Sequence, residues 1–191
     1  RDIRERSRPL EEVSAATSWA PTLTGSSTPE MIRGLRATPG LFTLLGVAPA
    51  LGRPFTESMA EERVVVLQYD LWRSRFNADP NVLGRTIHLV GEPHTIVGVM
   101  PAEFDIFSRG HDLWSALPWD PSARNHTATF SQALARLAPG VTADAANREL
   151  VALAPAMRRD LAKANDWGRT IHVLPLRESM TGNVRPALLI L

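Results

Sequence analysis

The chain has 191 residues, 44% of them hydrophobic, with a formal net charge of +1 and no cysteine. That length allows one large domain or two small lobes. So even a charge balance lacks the concentrated basic surface of a nucleic-acid binder, no apolar run reaches the ~18 residues of a membrane-spanning helix, and the absence of Cys excludes disulfides, thiolate metal sites and cysteine nucleophiles.

Asp2–Glu12 reads as a helix, with Ile3, Leu10 and Val13 near one face and Pro9 as a break. Ala15–Thr24 reads as a strand carrying Trp19 and interrupted at Pro21, because proline cannot donate to a ladder. Gly25-Ser26-Ser27 is turn chemistry, and Met31–Thr38 is the expected partner strand. Pro39 and Gly46 bracket a short helix with Phe42, Leu44 and Leu45. Pro49–Phe55 is expected as a connector.

Val64–Leu67 is a short β-branched apolar run, the signature of a buried strand. Leu71, Trp72 and Phe76 then fall roughly on one face of a short helix, which Asn77-Ala78-Asp79-Pro80 ends. Gly84 permits a turn. Thr86–Val90 alternates, Gly91-Glu92 is the expected two-residue hairpin loop, Thr95–Met100 is the return strand, and Pro101 stops it. Beyond Phe104 the chain is irregular. A short strand is expected at Asp112–Leu117, a loop at Pro118–Thr127, and a strand at Thr129–Leu137 closed by Ala138-Pro139-Gly140. Thr142 is a good N-cap for a helix over Ala143–Lys163, in which Pro155 should cost about 3 kcal/mol or force a kink. Arg169–Leu176 is the last predicted strand. The chain starts at Arg1 without Met or signal peptide and ends inside the apolar run Ala187–Leu191, which reads as a piece of a longer protein.

Several ordered blocks carry a resemblance: TPGLFTLLGVAPALGRPF, VVVLQYDLWRSRF, DPNVLGRTIHL, GEPHTIVGVMPAEF and VLPLRESMTGNVRPALLIL. Together they resemble the periplasmic core domain of MacB-type ABC transporter permeases, especially the duplicated orphan permeases of that superfamily. Two positions depart from the pattern. Val90 stands where the family has Asp before Gly91, and His94 where it has Tyr. The resemblance implies an α+β fold of two lobes. Residues 1–55 and 110–180 would form a porter-like, βαβ-type lobe, residues 56–109 an inserted sabre-like α+β lobe, and residues 181–191 the approach to a membrane helix. It also implies an extracytoplasmic position on the bacterial inner membrane. The partners implied are the membrane helices of the same permease, a cytoplasmic ABC ATPase, a periplasmic adaptor and a second copy in the full-length protein; nucleic acid is not among them. No enzymatic chemistry is implied. The domain would relay movement between the membrane helices and substrate or periplasmic partners. An extracytoplasmic ligand-binding or sensor module is the alternative, and would need a concave pocket with convergent polar groups.

The residues themselves point to no catalytic, cofactor or metal site. His88, His94, His111, His126 and His172 are scattered. Across the expected hairpin loop His94 would face Leu89 and lie diagonal to His88, but a metal needs three or more convergent ligands with a second shell. These histidines therefore read as solvated strand residues. There is no HExxH, GxSxG or Walker A motif, and Asp112 beside His111 has no serine in triad context. Trp72 and Trp114 read as core. Trp19, Trp119 and Trp167 lie where aromatics pack under loops or line a partner surface. Arg73, Arg75 and Arg85 read as a solvated face.

Overall fold

The computed structural model describes residues 8–25, 28–105, 110–117, 132–160 and 172–181. In chain order the strands are β1 (Leu10–Trp19), β2 (Thr22–Thr24), β3 (Glu30–Met31), β4 (Gly34–Ala37), β5 (Leu51–Gly52), β6 (Val64–Leu67), β7 (Thr86–Leu89), β8 (Glu92–Val99), β9 (Leu113–Ala116) and β10 (Gln132–Leu137). The helices are α1 (Leu41–Leu45), α2 (Tyr69–Phe76), α3 (Ala143–Asp160) and α4 (Leu176–Thr181). The fold class is α+β, as the sequence leads one to expect. The chain packs as two compact units. The larger takes Ser14–Ser122 with Thr129–Leu134, and the smaller takes Arg1–Val13, Ala123–Ala128 and Ala135–Leu191.

In the larger unit the strand order is β1-β4-β9-β6-β8-β7-β2-β3, with β10 beside β1 and β5 added to the far end of β8. The pairs β4–β9 and β6–β8 are parallel, and β6–β9 is antiparallel. All four residues of β6 are buried. Val64 and Val66 enter one hydrophobic cluster with Leu35, Phe42, Phe55 and Trp114. Val65 and Leu67 enter another with Leu23, Ile87, Ile96 and Leu113. Successive side chains of a strand point to opposite faces, so the sheet is covered on both faces at its centre. That is why β6 reads as an unbroken apolar run and not as an alternation.

Helix α1 lies on the first cluster, with Leu41, Phe42 and Leu44 buried. It is bracketed by Gly40 and Gly46, both at positive φ, which only glycine adopts freely. Helix α2 lies on the second cluster through Leu71, Trp72 and Phe76. Its N-terminus is capped by the Gln68 side chain, which accepts from the Asp70 amide. Asn77 and Ala78, both in the left-handed region, end it. Strand β8 carries a bulge: Val65 pairs with Ile96 but Val66 pairs with Gly98. The extra residue, Val97, reverses the alternation, so Ile96 and Val99 share one cluster while Val97 and Met100 face the other.

Several sequence expectations are corrected. Leu10–Glu12, expected to end a helix, begin β1, with residues 1–7 outside the described region. Ladder pairing outweighs the weak helical pattern there, since propensity is a small preference beside tertiary contacts. The strand expected over Met31–Thr38 is split into β3 and β4, opposite the matching break at Ala20-Pro21 between β1 and β2. The connector Pro49–Phe55 contains β5, held to β8 by Leu51↔Val99 and Gly52↔Gly98. Gly98 is required there, because a Cβ would stand 2.6 Å from the Arg53 carbonyl oxygen. The hairpin turn is one residue earlier than expected. Leu89 pairs with Glu92, so the loop is Val90-Gly91.

The smaller unit holds helix α3. Thr142 caps it as expected, its hydroxyl accepting from the Ala145 amide at 3.2 Å. Ala146, Leu150 and Ala154 are its buried stripe. Pro155 lies inside it and removes the amide that would bond the Val151 carbonyl. Both residues are exposed, so water can satisfy that oxygen. His172–Pro175, expected as part of a strand, has no ladder partner among the described residues, and Leu176 opens helix α4 instead. The Val173 amide is taken by Asn147 Oδ1 at 3.1 Å, a side-chain dock that replaces a ladder bond. The remainder of the last expected strand (169–171), the loop at 118–127 and the segment 182–191 lie outside the described residues, as do the chain ends.

Two substitutions test this fold. Val90 has φ 55 and Gly91 φ 79, the positive values that a two-residue type I′ turn demands and that a β-branched residue resists. Val90→Asn should therefore stabilise the protein by about 1 kcal/mol, read as a higher denaturation midpoint at unchanged m-value. Trp72 is only half-buried; its indole N–H donates to the Asp79 carbonyl at 2.9 Å, and its ring meets Tyr69 edge-on at 5.5 Å. Trp72→Ala should cost about 2 kcal/mol, less than the truncation of a wholly buried aromatic. An unchanged unfolding temperature would show that this helix face does not support the core.

Candidate functional site

The larger unit brings together one cluster of polar and aromatic side chains on its second apolar face. Trp19 ends β1 and pairs with Gly34 on β4. The ring lies over that glycine, where a Cβ would stand 3.1 Å from Trp19 Cε3. The Arg36 guanidinium sits 4.1 Å above the Trp19 ring centre, a cation–π geometry. The His94 ring is 5.9 Å from the Trp19 ring. His94 Nδ1 is 3.0 Å from the Glu92 carbonyl oxygen, to which it donates in the neutral tautomer with a proton on Nδ1. The Glu92 carboxylate is engaged by Arg63 at 2.6 Å.

His94 is 6% exposed, which corrects the expectation of a solvated strand histidine. The turn at Val90-Gly91 sets it opposite Ile87 and not Leu89, on the face where both of those residues are buried. Burial holds its pKa below the usual histidine value, and the charges of Arg36 and Arg63 push it the same way. The Glu92 carbonyl and carboxylate oppose that shift. Sequence reasoning missed this cluster because Trp19, Arg36 and His94 come from three different strands. The one signal was His94 alternating in step with Ile96.

The other sequence-stated residues do not converge on this cluster. His88 is exposed on β7, and His172 is exposed in the smaller unit. His111 is buried beside Trp114, with ring centres 6.4 Å apart. Trp114 is fully buried in the first core, as expected. His126, Trp119 and Trp167 lie outside the described residues. Among the described residues, no group of three or more His, Asp or Glu side chains is placed to hold a metal ion. Asp112 accepts from the Arg33 amide at 2.7 Å and is a structural tie between β4 and β9.

An open groove of about 480 Å³ runs between β3 and α2, lined by Met31, Arg33, Ser74 and Arg75 among others. Its charges are mutually paired: Arg33 with Asp112, Arg73 with Asp70, and Arg75 with Glu30. Arg85 is engaged separately by Asp79. Backbone and side-chain hydrogen bonds from Asn81, with the Arg85 charge, hold the Asp79 carboxyl below its usual pKa. The three arginines grouped in the sequence are thus exposed and individually neutralised. Among the described residues, no helix is long and apolar enough to cross a membrane.

A family model for the MacB-like periplasmic core domain matches residues 1–153. The fold is similar to the periplasmic region of MacB from Actinobacillus actinomycetemcomitans, with TM-score 0.64 and 18% identity over 83% of this chain and 72% of that one. It is also similar to the extracellular domain of the noncanonic ABC-type transporter YknZ from Gram-positive bacteria, with TM-score 0.63 and 14% identity over 88% of this chain and 82% of that one. None of the curated proteins matches the sequence.

The His94 environment predicts a pH dependence. Its folded pKa lies below the unfolded value of about 6.5, so between the two the unfolded chain binds a proton that the native chain does not. Stability from this group is complete above about pH 6.5 and is lost as pH falls through the folded pKa. The stability difference between wild type and His94→Gln should be constant above about pH 7 and shift against the wild type below about pH 6. Chemical denaturation across that range checks this, and a constant difference throughout would exclude it.

Proposed function

The chain belongs to the family of MacB-like periplasmic core domains, and from that premise we propose that it is a non-catalytic extracytoplasmic relay of an ABC-type efflux permease. It would pass movement between the permease's membrane helices and its substrate or periplasmic partners. In this reading its partners are the membrane helices of its own permease, a cytoplasmic ABC ATPase and a periplasmic adaptor, with a second copy in the assembled protein. Within the larger unit, the part of the porter-like range (1–55 with 110–180) that falls there and the sabre-like range (56–109) are proposed as one moving block.

The observation that carries this reading is the continuous pairing across those ranges. β6 pairs with β9, β5 with β8, and β2 with β7. Both hydrophobic clusters draw on residues from either side of the boundaries. A close-packed interior has low compressibility and transmits displacement. The groove beside β3 offers a ligand no unneutralised charge, which favours the relay over the ligand-binding alternative.

Thr24 on β2 and His88 on β7 are direct Cα partners in an antiparallel pair, within the separation a disulfide spans. With no native cysteine in the chain, Thr24→Cys/His88→Cys joins the two ranges selectively. In the full-length permease held at about pH 7.5, where His94 is neutral, oxidation of this pair should leave ATP-coupled transport unchanged. Loss of transport reversed by reductant would show that the two ranges must move against each other, and would overturn the single block.

A further inference from the structure

The Trp19–Arg36–His94 cluster sits at the root of the β2–β3 arm at one end of the sheet. Trp19 is the last residue of β1; Ala20-Pro21 follows, and β2 and β3 then pair with each other to form the arm. The Ile32 amide donates to the Pro21 carbonyl at 3.0 Å and closes the base. Beyond that base the arm is held by a short ladder to β7, Leu23↔Leu89 and Thr24↔His88, by the Val90 amide donating to the Thr22 carbonyl at 2.9 Å, by the exposed ion pair of Glu30 with Arg75 on α2, and by the burial of Leu23 and Ile32. Glu30 and Met31 at its outer edge are exposed.

We propose that His94, Trp19 and Arg36 form a proton-operated latch: neutral His94 keeps Trp19 seated over Gly34 and the β2–β3 arm fixed, and protonated His94 unseats Trp19 and loosens the arm. The groups facing His94 give the reason. From β4 comes Arg36, and from the residue before β6 comes Arg63, both cationic. From its own strand comes Glu92, whose carboxylate is engaged by Arg63. From β1 comes the Trp19 ring, which already carries the Arg36 guanidinium. A third cation here has no free anion to meet it, and burial denies it water. The ring reaches water by displacing its aromatic neighbour. Arg36 then loses its seat, and the root of the arm loses its stack. The latch stands on this geometry and not on the relay reading.

The test is hydrogen exchange on the whole chain at about pH 7.5 and about pH 5.5, corrected for intrinsic rates, beside an NMR titration of the His94 ring. Protection of the β2 and β3 amides should fall on acidification with the midpoint of the His94 titration, while that of β6 should not. The loss should be about tenfold for each unit by which the His94 pKa differs between the open and closed arm. His94→Gln should abolish the pH dependence. Arg36→Gln should move the His94 midpoint upward, which a purely structural role for Arg36 would not do. Equal protection of β2 and β3 at both pH values while His94 titrates overturns the latch. So does an unaltered pH dependence in His94→Gln. Should that variant fail to fold, the wild-type titration and exchange profiles decide between the same two outcomes.

Discussion

Strand β6 must be buried on both faces, and much of the architecture follows from that. A strand with one wet face can alternate apolar and polar residues, but Val64–Leu67 is apolar throughout and needs cover on both sides. The chain supplies it with helix α1 and the aromatic group Phe42, Phe55, Phe104 and Trp114 on one face, and with helix α2 and Val82 on the other, where they pack with side chains of the neighbouring strands. Both parallel pairings follow the same logic, since a parallel neighbour requires a crossover that lays further structure on the sheet. Ser115 is the polar intrusion beside β6, and its hydroxyl donates to the Val64 carbonyl at 3.2 Å, so its burial is compensated.

The bulge at Val97 reconciles two demands on β8. Its first half must match the register of the β7 hairpin, and its second half must seat β5. One inserted residue switches the faces between those halves. It also brings Gly98 against Gly52, where only missing side chains let the backbones approach. A segment that sequence alone treats as a connector thereby becomes an integral edge of the sheet.

Among the described residues the surface ion pairs are solvent-exposed and individually weak. The exception is the half-buried Arg36 beside the buried His94. There a cation, a neutral histidine and an aromatic ring share a low-dielectric face.

The local features were legible in the sequence because their causes are local. The apolar run of β6, the glycine brackets of α1, the α2 face bearing Trp72 and Phe76, and the Thr142 cap each depend on a few neighbouring residues. What the sequence left open depends on contacts between distant residues. Leu10–Glu12 is strand because a ladder captured it, Leu51–Gly52 is strand because β8 offers an edge, and the hairpin register slipped by one because Val90 accepts a positive φ within a well-paired sheet. The burial of His94 belongs to the same class. Its neighbours Trp19 and Arg36 lie far away in the chain, and strand pairing, which has no sequence-local signature, is what sets them beside it.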